Sequence, residues 1–423
     1  MFGASSRRLK RISWKSGRRR GAMTLLLLFA LPILLGSVAL AVNLAWLSCH
    51  QVRLRQACQS AALAGAAELM DPAPLDAPPA PGSVAVATSP AADPATAARI
   101  VLAQQQAMAF AARNGVSLQI NPNSAAASNA GEDVIAGWVD DPSSPGSLLT
   151  PWTGTEPVNS LLVRAVRRRS RGDAVTLWLG GLFGTVDAEP AAAARASIDQ
   201  RVYGFRPAGH VRVPLVPLLV FSQSRWPLSI PEAEPGVEDR YSVDPRTGEV
   251  RQGTDGIGEI TLRIRCAAGA SPTEQESGER NACWLSLAGA TADSSLLAQQ
   301  VTQGLTSGDL AALGGGFTMG DNGQLPLAAA PPPDCGQMVA LRQALLAIRG
   351  QKRIWPLGTF LASGNQRMCR VEGFAAGCVA DCLMETESCL AIVVQPCLLE
   401  TCTALVSNGK ARNPWIGKLI LSE

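Results

Sequence analysis

Histidine is scarce in this chain, because His50 and His210 are the only two among 423 residues. Serine and cysteine nucleophiles usually need a positioned imidazole as their base. The metallopeptidase pattern HExxH, the nucleophile elbow GxSxG and the phosphate loop GxxxxGK[ST] are also missing from the sequence. We therefore expect no enzyme, no catalytic residue, no cofactor and no small-molecule substrate. An anchored hydrolase is the weakest alternative.

Charged residues are also few, at 17% of the chain, against roughly 25% in an average soluble domain. The first twenty residues hold eight Lys or Arg and no Asp or Glu, so this segment carries +8. The whole chain carries only +3, which leaves −5 on the other 403 residues. A mildly acidic body argues against a nucleic-acid partner, because such a partner needs a basic surface.

A long uncharged segment follows this basic leader. Residues 21–49 contain 29 residues without a charged side chain, and a bilayer core needs about 20 apolar residues in a helix. Basic residues stay on the cytoplasmic side. The sequence thus predicts a basic cytoplasmic tail over residues 1–20, a transmembrane helix over 21–49, and an exported body. A signal peptide cleaved near Ala39-Leu40-Ala41 is the alternative.

The span is predicted to continue as an exported helix over residues 50–71. Its small residues recur at helical spacing on one face, and these residues are Ala57, Ala61, Ala64 and Gly65. Small side chains let helices approach closely, so we interpret these four residues as a helix-packing face. The alternative is an Ala-rich helix that packs on its own domain.

The remaining sequence predicts an α+β fold with three further parts. Residues 72–94 are rich in Pro and Ala and read as a linker. Residues 95–222 alternate helical and strand-like periods, which indicates a small α+β unit with a helix that begins at Pro94 and strands over 133–139, 160–168 and 194–205. Residues 223–423 predict a β-rich region that contains most of the cysteines, with a hairpin over 241–253 and strands over 257–266 and 390–399.

Two segments within residues 95–222 have an unusual composition. The basic run at residues 164–171 predicts a polar strand end and turn, with a phosphate-binding patch as the alternative. The apolar segment at residues 174–184, AVTLWLGGLFG, predicts a short helical or buried element.

Eleven cysteines give an odd total, so at least one thiol is left out of any set of intramolecular disulfides. Disulfides are the default in an exported, oxidising compartment. Cys266 and Cys283 flank one polar loop, which favours a local disulfide between them. Cys49 is the cysteine that we expect to remain outside the intramolecular disulfides. Zinc binding is the alternative for the C-terminal cysteines, although their spacing lacks a CxxC pair. The other disulfide candidates are Cys335, Cys369, Cys378, Cys382, Cys389, Cys397 and Cys402.

A segment of about fifty residues, 18–69, resembles the TadE/TadG-like Flp pilus-assembly proteins of bacteria. The shared features are basic residues that end in Arg20-Gly21-Ala22, an apolar span with Leu31-Pro32, and the step Ala41-Val42-Asn43. An Ala-rich helix over residues 54–66 follows. The family often has Asp where this chain has Asn43.

The resemblance implies an anchored, minor or pseudopilin-like component of the machinery that builds Flp pili for adhesion. It also implies a single pass through the bacterial inner membrane, a periplasmic body, and residues 95–222 as an α+β pseudopilin-like unit. Its partners would be the inner membrane, pilin and the Tad platform proteins. The chain lacks the DxSxS motif of a von Willebrand factor A domain, so metal-dependent adhesion is not expected. Leu26 stands where prepilin peptidase substrates have Glu, so processing as a pilin is not expected either. The alternative function is a membrane-tethered, disulfide-stapled adhesin or ligand-binding module.

Overall fold

The computed structural model describes residues 19–70, 72, 94–118, 133–144, 146–154, 157–184, 186–221, 237–265, 281–287, 294–320, 322–363, 366–386 and 388–422. The helices are α1 (Arg19–Ala67), α2 (Pro94–Arg113), α3 (Ser294–Gln303) and α4 (Cys335–Ala347). The strands are β1 (Val134–Trp138), β2 (Thr150–Pro151), β3 (Ser160–Val166), β4 (Val175–Thr176), β5 (Asp187–Ala188), β6 (Ala191–Asp199), β7 (Val202–Phe205), β8 (Leu218–Phe221), β9 (Val237–Glu238), β10 (Tyr241–Val243), β11 (Val250–Gln252), β12 (Glu259–Arg265), β13 (Ala282–Ser286), β14 (Phe317–Thr318), β15 (Leu325–Ala329), β16 (Lys352–Ser363), β17 (Gln366–Thr386), β18 (Cys389–Pro396), β19 (Leu399–Glu400), β20 (Ala404–Val406) and β21 (Ile416–Ser422).

The chain folds as two compact units. Unit 1 comprises Met1–Ala57 and Ala165–Ala192, and unit 2 comprises Cys58–Arg164 and Ala193–Glu423. Helix α1 contributes to both, because its 49 residues run without interruption from the leader into the body. The predicted continuous helix is therefore confirmed, and the segment 24–67 is long and apolar enough to cross a membrane.

Unit 1 combines the first part of α1 with a small hairpin. Strands β4 and β5 pair antiparallel, with Val175 opposite Ala188. A 3-10 turn over Gly180–Phe183 forms the tip and ends at Gly184, whose φ of 73° suits a residue without Cβ. The sequence predicts a helical or buried element here, but Trp178 is 73% exposed. Three glycines in five residues, at 180, 181 and 184, explain why no α-helix forms.

Unit 2 contains a six-stranded sheet in the order β19-β21-β6-β3-β1-β2. Helix α2 begins at Pro94, as its position at the first helical residue predicts. Its buried residues Ile100, Ala103, Ala107 and Ala111 recur every three or four positions along one face. The predicted strand over 194–205 is two strands, β6 and β7, because the Asp199 side chain accepts the Arg201 N–H and turns the chain between them.

The second large sheet of unit 2 has eight strands in the order β15-β13-β8-β16-β17-β18-β12-β9. Strand β15 also pairs with β17, so β15, β13, β8, β16 and β17 close into a five-stranded barrel. Alternate residues of these strands join two different apolar clusters. One cluster includes Trp284, Trp355 and residues of α3 and α4, whereas the other includes Phe205, Phe317 and Phe374.

The six-stranded sheet and a three-stranded sheet, β14-β7-β20, combine strands from both sides of residue 222, since β6 pairs with β21 and β7 pairs with β20. The predicted strands within residues 133–139, 160–168, 257–266 and 390–399 are present as β1, β3, β12 and β18. The predicted hairpin over 241–253 is present as β10 and β11. The predicted linker over 72–94 lies almost entirely outside the described residues.

Candidate functional site

The outward face of α1 is the first candidate site. Large apolar side chains cover it from Leu25 to Leu44, with Leu26 71% and Ile33 70% exposed. A water-soluble helix would bury such a stripe in a core. Here these apolar side chains stay exposed, and the helix is long and apolar enough to cross a membrane.

A narrow polar stripe interrupts this apolar surface near the C-terminal end of the span. Asn43 is only 6% exposed, and its Oδ1 accepts a hydrogen bond from the backbone N–H of Leu179 at 3.2 Å. One turn further along, Trp46 packs edge-on against His50, with ring centroids 4.6 Å apart. His50 thus makes a packing contact, and His210 is exposed in a loop.

The predicted helix-packing face lies further along α1 and contacts the chain itself. Ala57, Ala61 and Gly65 are buried, and Ala64 is half-buried. A Cβ added at Gly65 would lie 2.2 Å from Leu161 Cδ2 and 2.7 Å from the carbonyl oxygen of Ala103. Gly65 therefore lets α2 and β3 approach the α1 backbone. The use of this face by another protein stays a prediction.

Two buried cysteines meet across the barrel. Cys283 lies on β13 and Cys369 on β17, and their Sγ atoms are 3.3 Å apart. These strands are not neighbours, because β15 pairs with both of them. Strands two apart are separated by about 10 Å, so the two side chains reach each other only because both point into the barrel. Cys266, the predicted partner of Cys283, lies outside the described residues.

A second cysteine pair joins β17 to the residue after β18. Cys397 lies near Cys378, because Cys378 is opposite Gln395 in the sheet and the Cys397 N–H donates to the Ala376 carbonyl. Interaction between the two thiols lowers the pKa of Cys378. The same interaction and burial raise the pKa of Cys397 well above the usual thiol range. Cys378 is therefore the thiol of the pair that ionises first, and the thiolate is the reactive form in disulfide chemistry.

The remaining candidate cysteines are dispersed. Burial raises the pKa of Cys382 to about 12, which makes this thiol unreactive in the folded chain. Cys389 is buried beside Glu385, whereas Cys335 and Cys402 are exposed. Among the described residues, no cluster of three or more His, Cys, Asp or Glu side chains could hold a metal ion.

An ion-pair network that sequence reasoning missed links three distant segments of unit 2. Arg201 Nη2 lies 2.6 Å from Asp199 Oδ2 and 2.9 Å from Asp141 Oδ1. Asn408 donates from Nδ2 to Asp141 Oδ2 at 2.6 Å, and its Oδ1 accepts from Arg201. Hydrogen bonds from Arg201 and Asn408 hold the pKa of Asp141 below its usual range. Because every charged group here has a partner, the network acts as a structural clamp.

Comparisons with known proteins identify the N-terminal segment. Residues 21–68 match the model of the TadE/G-like Flp pilus-assembly family. No curated protein and no solved structure matches the chain. The matched residues cover nearly all of α1. They include the exposed apolar side chains between Leu25 and Leu44 and the small residues between Ala57 and Gly65. Residues 21–68 are thus similar to the putative TadE/G-like Flp pilus-assembly family, and this similarity supports involvement of the chain in Flp pilus assembly.

Proposed function

We propose that the chain is a single-pass, non-enzymatic inner-membrane component of the Flp pilus-assembly machinery, with its N-terminus in the cytoplasm and its body in the periplasm. One observation carries this proposal. The matched domain contains a helix whose large apolar side chains point outward over about five turns, between Leu25 and Leu44. The basic leader supplies the orientation, because Lys and Arg remain on the cytoplasmic side.

The role that fits this arrangement is that of a scaffold or pseudopilin-like anchor. Because α2 and β3 occupy the surface at Gly65, we assign contacts with pilin or platform helices to the outward face of residues 24–44. Apolar side chains there face lipid or other membrane helices. The body would then present a rigid barrel on the periplasmic side.

Site-specific photo-crosslinking in intact cells tests this role. A photoreactive residue replaces Leu27 or Leu34, which are 66% and 62% exposed on α1. The matched control replaces Leu148, which is 85% exposed in unit 2. We expect adducts with pilin or platform subunits from the α1 positions, identified by mass spectrometry.

Two results would contradict the proposal. The first is the absence of any pilus-assembly protein among the α1 adducts at normal protein level. The second is capture of outer-surface ligands from Leu148 alone, which would favour the tethered adhesin instead.

We also propose that Cys283–Cys369 and Cys378–Cys397 are disulfides in the exported protein. The Sγ separation of 3.3 Å supports the first pair. The strand register supports the second, because Cys378 is opposite Gln395 and the Cys397 N–H donates to the Ala376 carbonyl. Each bond forms when two thiols lose two protons and two electrons to an external disulfide, which is reduced to two thiols. The lowered pKa of Cys378 favours its thiolate as the first attacking group.

Peptide mapping without reductant tests these pairs. The protein is alkylated in denaturant at low pH, digested and searched for linked peptides, with Cys382 as an internal thiol control because its buried sulfur stays unreactive until unfolding. We expect Cys283 linked to Cys369 and Cys378 linked to Cys397. Recovery of Cys283 linked to Cys266 would contradict the first pair, and alkylated Cys378 would contradict the second.

A further inference from the structure

The hairpin of unit 1 has an apolar tip on a charged base. Its tip, residues 177–186, reads LWLGGLFGTV and holds no charged side chain. Trp178 is 73% and Val186 56% exposed. The base contrasts with this tip, because Arg169 pairs there with Asp187 at 3.4 Å and the Arg168 N–H donates to Asp173 Oδ1 at 2.7 Å. A water-exposed hairpin would show the opposite polarity, with its polar residues at the tip.

The tip lies against the span itself. The Trp178 ring packs edge-on against Trp46, with centroids 5.7 Å apart, and the Leu179 N–H donates to Asn43 Oδ1 at 3.2 Å. Ala39 is buried one helical turn before Asn43 on the same face of α1, where its neighbours in sequence are exposed. The covered stripe therefore reaches from Trp46 toward the middle of the span.

Helix geometry gives the depth of this contact. At 1.5 Å per residue, Asn43 lies about 28 Å and Ala39 about 22 Å from Thr24. The hydrocarbon core of a bilayer is about 30 Å thick. If the core begins near Thr24, just after the basic leader, then Asn43 lies at the outer boundary of the core and Trp46 lies in the headgroup region.

The hairpin backbone suits this location. Apolar surroundings demand a partner for each polar backbone group. At the tip, the Leu177 N–H donates to the Val186 carbonyl, the Leu179 N–H to Asn43, and the Gly184 N–H to the Gly180 carbonyl. Tryptophan favours the membrane interface, where its ring contacts lipid chains and its N–H faces polar groups. The exposed Arg168 at the base suits anionic phosphates.

We propose that residues 177–184 and Val186 form a second membrane-contacting element that inserts its tip into the outer-facing leaflet beside α1, while the exposed Arg168 at the base binds anionic phospholipid headgroups. The argument rests on the proposed anchoring of α1, because the depth of the hairpin is measured along that helix. Its ligand is the phospholipid surface, and its effect would be to fix the rotation of α1 about its own axis relative to the membrane.

Lipid photo-crosslinking in nanodiscs tests this proposal on the full chain. The nanodiscs contain phosphatidylethanolamine and phosphatidylglycerol. A benzophenone amino acid replaces Trp178, with Leu28 in the span as the positive control and Leu148 in unit 2 as the exposed apolar control. We expect phospholipid adducts at position 178 in a yield comparable with that at position 28, and only background adducts at position 148.

The controls separate the possible failures. Adducts at position 28 without adducts at position 178 would overturn the hairpin insertion and leave the anchor intact. Absence of adducts at both positions would overturn the anchor and the insertion together. Equal adducts at positions 178 and 148 would show general adsorption of the body and overturn the assignment. A protein adduct at position 178 in intact cells, in place of lipid, would assign the tip to a partner subunit.

A second measurement avoids the photoreactive residue, in case its incorporation prevents folding. Tryptophan fluorescence is recorded in nanodiscs with and without brominated phospholipids for the wild type and for Trp178→Phe. The difference between the two proteins reports on Trp178. Strong quenching of this difference signal supports insertion, whereas an unquenched difference signal overturns it.

Discussion

The two halves of α1 form one continuous helix, yet their apolar residues differ in size. The first half carries large residues such as Leu26 and Ile33, which remain exposed. The second half carries the small residues Ala61, Ala62 and Gly65, which are buried in unit 2. Apolar residues alone therefore do not distinguish an exposed segment of this helix from a packed one. The size of the side chains does, because small residues let another backbone come close.

The strongest test of this contrast places a large residue at a glycine in each half. Gly65→Leu introduces atoms where Leu161 and the Ala103 carbonyl already lie, and we expect it to destabilise unit 2 by about 3 kcal/mol or more. Gly36→Leu is the matched control, because nothing lies within 4 Å of its Cβ direction. Chemical unfolding of the full chain in detergent micelles, followed by tryptophan fluorescence, measures both. Equal stability of the two variants would refute the contrast.

Truncation of a leucine in each half sharpens the same comparison. Leu54 is only 1% exposed, so Leu54→Ala should cost about 2–5 kcal/mol of unfolding free energy. Leu28 is 68% exposed, and Leu28→Ala should leave the unfolding of the body within about 0.5 kcal/mol of the wild type. Thermal unfolding monitored by circular dichroism measures the difference. A large loss from Leu28→Ala would mean that the first half is packed against the body.

Thiol labelling compares the halves without any substitution. Cys49 is exposed near the outer end of the span, whereas Cys58 is buried in the second half. A membrane-impermeant maleimide added to spheroplasts should label Cys49 and leave Cys58 unlabelled until denaturation, since burial limits access to the thiol. Peptide mass spectrometry reads both sites. Rapid labelling of Cys58 in the native protein would contradict the packed second half.

The smallest expected effect concerns the polar residue within the span. Asn43→Ala removes the acceptor of the Leu179 N–H and should cost about 1 kcal/mol of local stability. Hydrogen exchange in nanodiscs should show faster exchange of that amide. The control is Ser37→Ala, since Ser37 Oγ donates only to the Ile33 carbonyl of its own helix. Unchanged protection of the Leu179 amide in Asn43→Ala would contradict the hydrogen bond between the hairpin and α1.

Local sequence signals predicted much of the fold. An uncharged apolar run with a basic leader specified α1, and alternating periods specified β1, β3, β12 and β18. In each case the signal and the element lie in the same short stretch, because helix and strand periodicity are local properties.

Contacts between distant segments were not predictable in this way. Cys283 and Cys369 are 86 residues apart and meet only because β15 closes the barrel. Asn43 and Leu179 are 136 residues apart, so neither the polar residue in the span nor the exposed tryptophan could be explained from its own surroundings. The Arg201 clamp likewise depends on three loops that the sheets bring together. Such contacts depend on the order in which the strands pair, and this order cannot be inferred from local periodicity in the sequence.

Protease accessibility in spheroplasts tests the central claim, that α1 crosses the inner membrane with the body outside. The full chain carries an epitope tag at each end, and protease is added before and after the membrane is made permeable. The account predicts that the C-terminal tag is digested at once, that the N-terminal tag is protected until permeabilisation, and that both tags fractionate with membranes before digestion. Protection of the C-terminal tag, or release of the body without the N-terminal tag, would contradict the anchored orientation.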